Sequence, residues 1–460
     1  MNRRDFLKKA GLLGATGMLP SLAVSLAGIN EAAAFSAGDY KALVCVFLRG
    51  GNDHANTLIP IDDANFATYQ SLRSGIALPR SQILPLSSGQ TLAHNTRYGL
   101  HPKLVNLQKL FNQDKKLAVL QNVGMILRPT TKADYQASLN LPPKLFSHND
   151  QMSYWESHGA ANERSQGWGG KIGRLAQTNN LSANRSLTCI STSGKHKFLS
   201  TTTTEQFVAT RANNNNPTGI VSTHLTPNKW WMNSQVPMNE AYKMLSASRT
   251  NIYEKELSKI FLSAYNTEQN ISTYLTELGA LKTTFASDTL AEQLATVVNI
   301  IRVQSKLGMK RQVFLVSLSG FDTHDNQLTA HDTLMSQLDG ALASFYSAMQ
   351  EIGMANQVTA FTASEFGRTF VDNGNGTDHG WGGHHFILGG AVKGGYFYGT
   401  APKYGNHTDD DVGQGRLIPT TSVDQYAATL AKWFGVPDAQ MSQILPYINN
   451  FGSNRYLGFL

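Results

Sequence analysis

The sequence is poor in cysteine, in charge and in long apolar runs, and each shortage removes a class of protein. Only two cysteines, Cys45 and Cys189, occur in 460 residues, which is too few for a disulfide framework or a thiolate metal cluster. Charged residues are 15% of the chain, and the net charge of +7 is spread without a Lys/Arg stripe, which disfavours a nucleic-acid surface. No uninterrupted apolar run reaches the roughly 20 residues of a membrane span.

Buried strands that alternate with helices are what the apolar residues predict. Hydrophobic residues make up 41% of the chain, enough for a sizeable core. Short apolar runs predict strands at 42–48, 116–123, 187–191, 312–318, 357–362 and 386–388. Helical patterns between them are clearest at 102–111, 292–307, 332–349 and 422–434. The alternation predicts an α/β domain with a mostly parallel sheet and helices on both faces.

The composition changes near residue 200. The stretch 200–216 is rich in threonine and asparagine, which predicts a polar surface loop. A helical region at roughly 239–288 follows it. We expect one domain over 35–460, with an insertion or cap at approximately 200–290.

Residues 1–34 have the pattern of an export signal. Arg3-Arg4 is followed by Asp5-Phe6-Leu7-Lys8, which matches the twin-arginine motif. A Gly- and Ala-rich apolar region leads to Ala32-Ala33-Ala34, a suitable cleavage site. A Sec signal or an amphipathic helix is the alternative interpretation. We expect a periplasmic or secreted protein, and the twin-arginine route carries folded proteins, often with a metal already bound.

Acidic residues and histidines follow several predicted strands. They are Asp53 after the first strand, Asp322 and His324 after the 312–318 strand, Glu365 after the 357–362 strand, and then Asp378, His379 and His385. The carboxyl ends of parallel strands meet at one sheet edge, and carboxylates with imidazoles are ligands for divalent metals. The sequence therefore predicts a metal centre, with two ions about 4 Å apart as one form of it. Turns, helix caps and ion pairs are the alternative roles for each segment.

A nucleophile and an anion-binding group are harder to identify. Ser147 precedes a helical segment, where the positive end of the helix would favour its alkoxide. Capping of that helix by Ser147 or Asn149 is the alternative interpretation, and Thr57, Thr323 or metal-bound water are alternative nucleophiles. Arg368 could bind an oxygen of the substrate, or form an ion pair with Glu365 or Asp372.

Taken together, these motifs resemble those of a widespread bacterial family, domain of unknown function 1501. The motifs include LRGGNDHANTLIP at 48–60, SHNDQMSYWES at 147–157, SGFDTHDNQ at 319–327, TASEFGRT at 362–369 and GTDHGWGGHHFILGG at 376–390. The family is similar to the alkaline phosphatase superfamily, which includes sulfatases. That resemblance implies a three-layer α/β/α sandwich, a two-metal site, and attack on phosphorus or sulfur by an alcohol.

The resemblance also implies roles for single residues. Asp53, Asp322 and His324 correspond to metal ligands, Ser147 to the nucleophile, and His379 or His385 to the late histidine that closes the site. Glu365 corresponds to a second-metal carboxylate, and the chain departs from the superfamily here because Ser364-Glu365 stands where adjacent Asp and His are usual.

We therefore expect an exported hydrolase of small-molecule or polymer-borne phosphate or sulfate esters, dependent on zinc, manganese or calcium. The alternative is a non-catalytic exported binding or cell-envelope protein that keeps the fold. An oxidoreductase is disfavoured because no G-x-G-x-x-G follows the first strand.

Overall fold

The structure is a computed structural model that describes residues 38–159, 166–201, 206–211, 220–222, 246–247 and 250–460. The expected signal at 1–34 and much of the expected insertion at 200–290 lie outside these residues. No helix within the described ranges combines the length and apolar character that crossing a bilayer requires.

A ten-stranded mixed sheet forms the centre of the molecule. Its spatial order is β12-β5-β11-β10-β1-β9-β6-β7-β8, with β13 beside β5. Strand β1 lies between β9 and β10 and is parallel to both, whereas β11 is antiparallel to its two neighbours. A small sheet has the order β2-β4-β3. The strands are β1 Lys41–Arg49, β2 Leu58–Pro60, β3 Leu84–Pro85, β4 Tyr98–Leu100, β5 Leu117–Gly124, β6 Cys189–Ser191, β7 Phe207–Arg211, β8 Ile220–Ser222, β9 Arg311–Ser319, β10 Val358–Ala363, β11 Gly383–Gly389, β12 Phe397–Tyr398 and β13 Thr421–Ser422.

Helices cover both faces of the large sheet. One example, α10 (Val423–Phe434), starts with a capping box between Ser422 and Gln425 and is capped at its C-terminus by Gly435, whose φ is 117°. The helices are α1 His54–Thr57, α2 Asp63–Leu72, α3 Val105–Asn112, α4 Lys132–Gln136, α5 His148–Ser157, α6 Trp168–Ala176, α7 Ile252–Leu278, α8 Thr289–Arg302, α9 Gln327–Glu351, α10 Val423–Phe434 and α11 Asp438–Ile444. Short 3₁₀ turns lie at Arg80–Gln82, Ala93–Asn95, Gln177–Asn179, Ser182–Thr188, Lys197–Leu199 and Ile448–Arg455.

The two faces of β1 show why the domain has three layers. Val44 and Val46 point into one core with α8 and α9, whereas Cys45 and Phe47 point into a second core with α6 and α10. Because alternate residues of a strand face opposite sides, an unbroken apolar run needs helices on both. This arrangement confirms the predicted α/β/α sandwich with a mostly parallel sheet.

The predicted elements correspond closely to those observed, with one clear exception. Residues 200–216 were expected to form a surface loop, which is wrong at Phe207–Arg211 because this segment pairs in parallel with β6 as strand β7. Phe207, Val208 and Ala209 are buried. Their apolar character outweighs the polar residues on either side of them.

Candidate metal centre

The carboxyl ends of β9, β1 and β10 place three loops side by side. Asp322 follows β9, Gly50 follows β1 and Glu365 follows β10. Gly50 has a φ of 115°, and a Cβ there would lie 2.3 Å from the backbone nitrogen of Asp322. Glycine at this position therefore lets the β1 and β9 loops approach closely.

Two further segments complete the edge. The loop around His379 is joined to the loop after β10, because the amide of Thr369 donates to the carbonyl of Asp378 at 2.9 Å and the amide of Gly380 donates to the carbonyl of Gly367 at 2.8 Å. His148 is the first residue of α5. Residues far apart in the sequence thus meet above the central strands.

Four side chains form what we call the imidazole cluster: His148, Asp322, His324 and His379. The Nε2 of His379 lies 2.9 Å from that of His148 and 3.0 Å from that of His324.

The carboxylate oxygen Oδ1 of Asp322 joins the same group. It lies 3.4 Å from Nε2 of His148, 3.1 Å from Nε2 of His324 and 3.3 Å from Nε2 of His379. Donor atoms around a tetrahedral zinc ion with bonds of about 2.1 Å are roughly 3.4 Å apart. The three separations from Oδ1 of Asp322 are close to this value.

The opposite nitrogen of each imidazole has an acceptor. His148 Nδ1 lies 2.9 Å from a carboxylate oxygen of Glu365, His324 Nδ1 lies 3.2 Å from one of Asp378, and His379 Nδ1 lies 2.7 Å from the carbonyl oxygen of Phe146. Carboxylate and carbonyl oxygens only accept, so these contacts assign a hydrogen to each Nδ1, and the neutral form of each imidazole then has its lone pair on Nε2.

This pattern is a test of whether a metal ion fits. Three lone pairs and one carboxylate oxygen directed at one another repel unless a cation or proton lies among them. The guanidinium of Arg368, 2.9 Å from Oδ1 of Asp322, offsets part of this repulsion. Metal-binding histidines characteristically donate their second N–H to a carboxylate or carbonyl group. The donor set fits a divalent ion, and His148, Asp322 and His379 satisfy the distances of a three-ligand site.

The electrostatic environment differs among the ligand candidates. The hydrogen bond with Glu365 raises the pKa of His148 above its usual value, whereas burial lowers the pKa of His379. Partial burial acts to raise the pKa of Asp322, but the hydrogen bond and the charge of Arg368 outweigh it and lower that pKa. Asp322 is therefore an anion at neutral pH, as a metal ligand must be.

The side chain of Arg368 is buried, and its hydrogen bonds are made within the protein. It donates to the carbonyl of Gly50 at 3.0 Å, to Oδ1 of Asp322 at 2.9 Å and to the hydroxyl of Thr377 at 2.8 Å. Its side chain is 0% exposed. These contacts make it a group that positions Asp322, and its predicted role in binding substrate has no support from them.

A cavity of about 330 Å³ adjoins the cluster, and a different arginine lines it. Its lining includes Arg49, Gly50, His148, Met152, Asp322 and Glu365. Arg49 is anchored through Nη2 to Nδ1 of His196 at 2.6 Å. Within the described part of the chain, its buried Nε has no hydrogen-bond partner. Arg49 therefore borders the cavity with its guanidinium held on one side by His196.

The other predicted residues lie around the cluster in different settings. Glu365 and Asp378 hold the histidines as described. Asp53 is fully buried, pairs with Arg73 and Gln327 and caps α1. His385 is buried in β11 and stacks on Tyr426. The contacts of Asp53 and His385 are with these partners, and their assignment as ligands stays a prediction.

Ser147 occupies the N-cap position of α5, but its hydroxyl makes no capping bond. It donates to a carboxylate oxygen of Asp150 at 2.9 Å. Its role as nucleophile stays a prediction. The sequence analysis did not predict the neighbouring His148 as a metal ligand. The available signal was its position within the SHNDQMSYWES motif.

Comparisons with solved structures give distant matches. The lipoteichoic acid synthase LtaP from Listeria monocytogenes aligns with 88% of this chain and 74% of its own, at 9% identity and a TM-score of 0.33. The PsFucS1 sulfatase from Pseudoalteromonas sp. aligns with 88% of this chain and 72% of its own, at 10% identity and a TM-score of 0.35. At such values the likeness carries no argument about ligands or activity.

Sequence comparisons identify the family of the protein. No curated protein matches the chain. The model of a family described as "Protein of unknown function (DUF1501)" matches residues 40–445. Because that match spans most of the chain, the protein belongs to the DUF1501 family.

Proposed function

We propose that this protein is a metal-dependent hydrolase of phosphate or sulfate esters that acts at the imidazole cluster. The observation that carries the proposal is that three imidazole Nε2 atoms lie 3.1–3.4 Å from Oδ1 of Asp322. His148, Asp322, His324 and His379 would hold a divalent ion. Glu365 would orient His148 through Nδ1, and Asp378 would orient His324 in the same way.

A divalent cation in this place would supply Lewis-acid stabilisation of the negative charge on ester oxygens. The mixture of imidazole and carboxylate suits zinc or manganese. A second ion remains part of the prediction from the sequence. For it, Glu365 and Asp378 would have to serve as ligands in addition to their contacts with histidine.

The chain itself offers two groups for the reaction. Arg49 lies in the wall of the adjoining cavity, where it would bind non-bridging oxygens of the ester. Ser147 is next to the cluster in sequence, and the carboxylate of Asp150 accepts its hydroxyl hydrogen. Asp150 would therefore take the proton as the Ser147 oxygen bonds to phosphorus or sulfur, and would return it to the alcohol oxygen of the ester as the bond from that oxygen to phosphorus or sulfur breaks. Water would then cleave the new bond to Ser147 and release phosphate or sulfate. A water molecule is the alternative nucleophile.

The test combines metal analysis with turnover by the purified full chain. Elemental analysis should find a divalent metal that is lost in His379→Gln. Among 4-nitrophenyl phosphate, bis(4-nitrophenyl) phosphate and 4-nitrophenyl sulfate, at least one should be hydrolysed, and EDTA should stop that reaction. Turnover that survives chelation, or a metal-free protein without turnover, would contradict the proposal. Binding of metal without hydrolysis would favour the non-catalytic binding protein.

The choice of nucleophile has its own test. Ser147→Ala should abolish turnover if the serine attacks, and should retain it if water attacks. Ser305→Ala, an exposed serine away from the cluster, is the matched control and should leave turnover unchanged.

We also propose export through the twin-arginine route. The support is the Arg3-Arg4 pair with its Phe-Leu-Lys continuation. Cell fractionation should find the protein outside the cytoplasm, and replacing both arginines by lysine should retain it inside. Equal export of the two forms would contradict this route.

A further inference from the structure

A second cavity, of about 500 Å³, lies beside the one at the cluster. We call it the hydroxyl cavity. Its wall is formed where β6 and β9 end and α8 and α9 pass over them, and the lining includes Thr192, Ser193, Gln293, Thr296, Ser317 and Gln337. This volume lies within the range of ligand pockets, roughly 300–1,000 Å³.

The chemistry of this wall selects its ligand. Leu318 is the one apolar residue among the lining residues that the structure describes, and Glu292 is the one charged residue. An apolar ligand would displace water from those hydroxyls and amides of the wall that still have hydrogen-bonding capacity, which is costly. An anion would meet the carboxylate of Glu292. An uncharged group with many hydroxyls satisfies the wall best.

The polar groups are held in place, which favours specific recognition. Gln293 accepts from the hydroxyl of Thr192 at 3.2 Å and from the backbone nitrogen of Ser317 at 3.0 Å, and its amide donates to the carbonyl of Ser317 at 2.9 Å. This side chain joins α8 to β9 and to the loop after β6. A ligand would therefore meet a preorganised wall.

The two cavities adjoin each other. Ser319, at the end of β9, lines both. Arg49 of the cluster cavity bonds to His196, whose Nε2 lies 3.0 Å from the hydroxyl of Ser193 in the hydroxyl cavity. One molecule could thus place an anionic ester beside Arg49 and the imidazole cluster and an uncharged portion beside Ser193.

We infer that the hydroxyl cavity binds an uncharged, polyhydroxylated group, such as a sugar ring, that carries the ester. This inference rests on the proposed function for the ester, whereas the cavity chemistry stands by itself. The substrate class would be phosphate or sulfate esters of carbohydrates, and binding of the sugar would lower KM for them relative to aryl esters.

Two variants test the wall without touching the cluster. Gln337→Leu removes a half-buried amide on α9. Thr296→Val removes a hydroxyl that donates to the carbonyl of Glu292 in its own helix. Gln350→Leu changes an exposed glutamine of the same helix and is the matched control for Gln337→Leu. Thermal unfolding should show that all three are folded.

The first measurement is binding of neutral sugars to the full chain by saturation-transfer NMR, with maltotetraose, cellotetraose, mannotetraose and galactotetraose as probes. At least one should bind, and Gln337→Leu or Thr296→Val should weaken it about five- to tenfold, as expected for one lost hydrogen bond. Gln350→Leu should bind as the unchanged protein does. If none of the four binds, or if both wall variants bind normally, the inference is overturned.

The second measurement separates this inference from the proposed function. The 6-sulfates and 6-phosphates of glucose and galactose are compared with 4-nitrophenyl sulfate and phosphate. Gln337→Leu should raise KM for the sugar esters and leave kcat/KM for the aryl esters within twofold. Sugar binding without any ester turnover would refute the hydrolase and support the cavity. Aryl turnover without sugar binding would refute the cavity and support the hydrolase.

Discussion

The carboxylate of Glu365 offers the most direct test of the proposed metal centre. Its side chain is 4% exposed, and Oε1 contacts Nδ1 of His148 and accepts from the amide of Gly50, both at 2.9 Å. Glu365→Gln keeps the shape and removes the negative charge. The imidazole then loses the carboxylate that orients it and increases its basicity at Nε2.

The expected loss follows from that role. Removing an orienting partner of this kind typically lowers metal affinity about 10–100-fold, which is about 1.4–2.7 kcal/mol. His148→Gln removes the donor nitrogen itself and should lose more than Glu365→Gln. Asp372→Asn is the control, because this carboxylate accepts from the amides of Gly75 and Gly374, outside the cluster. Its affinity should stay within twofold.

The assay is zinc titration of metal-stripped protein in competition with a chromophoric chelator at pH 7.5. Circular dichroism and thermal unfolding of the metal-stripped variants check that each is folded. If Glu365→Gln binds zinc as well as the unchanged protein while His148→Gln does not, the orienting role of the carboxylate is wrong. If His148→Gln also binds normally, the imidazole cluster is not the metal site.

Three further changes have expected outcomes. Arg49→Met should weaken binding of inorganic phosphate about tenfold or more at unchanged zinc affinity, as calorimetry would show; equal phosphate affinity would exclude Arg49 as the anion-binding group. Burial lowers the pKa of His54 and His385 to about 3, so stability is fully present above pH 6.5 and falls as the pH drops towards 3. The loss at pH 5 is on the order of 2 kcal/mol each, and urea unfolding in EDTA at pH 7 and pH 5 should detect it. Gly50→Ala should destabilise by at least about 1–2 kcal/mol because of its positive φ, whereas Gly340→Ala, within a helix and with open space at its Cβ, should be neutral or stabilising.

The strands and helices of the large sheet were accessible from the sequence because each buried strand is a continuous apolar run. The run at 42–48 predicted β1, and the structure extends it by one residue at each end. The antiparallel direction of β11 was not accessible. It depends on the path of the chain after β10, since β11 pairs with β5 on its other side.

The candidate site was accessible only in part. Strand ends rich in Asp, Glu and His indicated where metal chemistry would lie, and Asp322, His324 and His379 do come together there. The spacing of these residues along the sequence does not show which of them direct their donor atoms towards one another. His148 reaches the cluster because α5 begins above the strand ends, from a segment more than 150 residues away from Asp322 in the chain.

By itself, the sequence determined the α/β architecture and the concentration of ligand-type residues at one sheet edge. Hydrophobic periodicity and strand-end position are local properties and can be read locally. Only the tertiary structure decided that Asp53 pairs with Arg73 and that Arg368 is enclosed while Arg49 lines a cavity. These outcomes depend on long-range hydrogen bonds and burial, which arise when distant loops pack against one another.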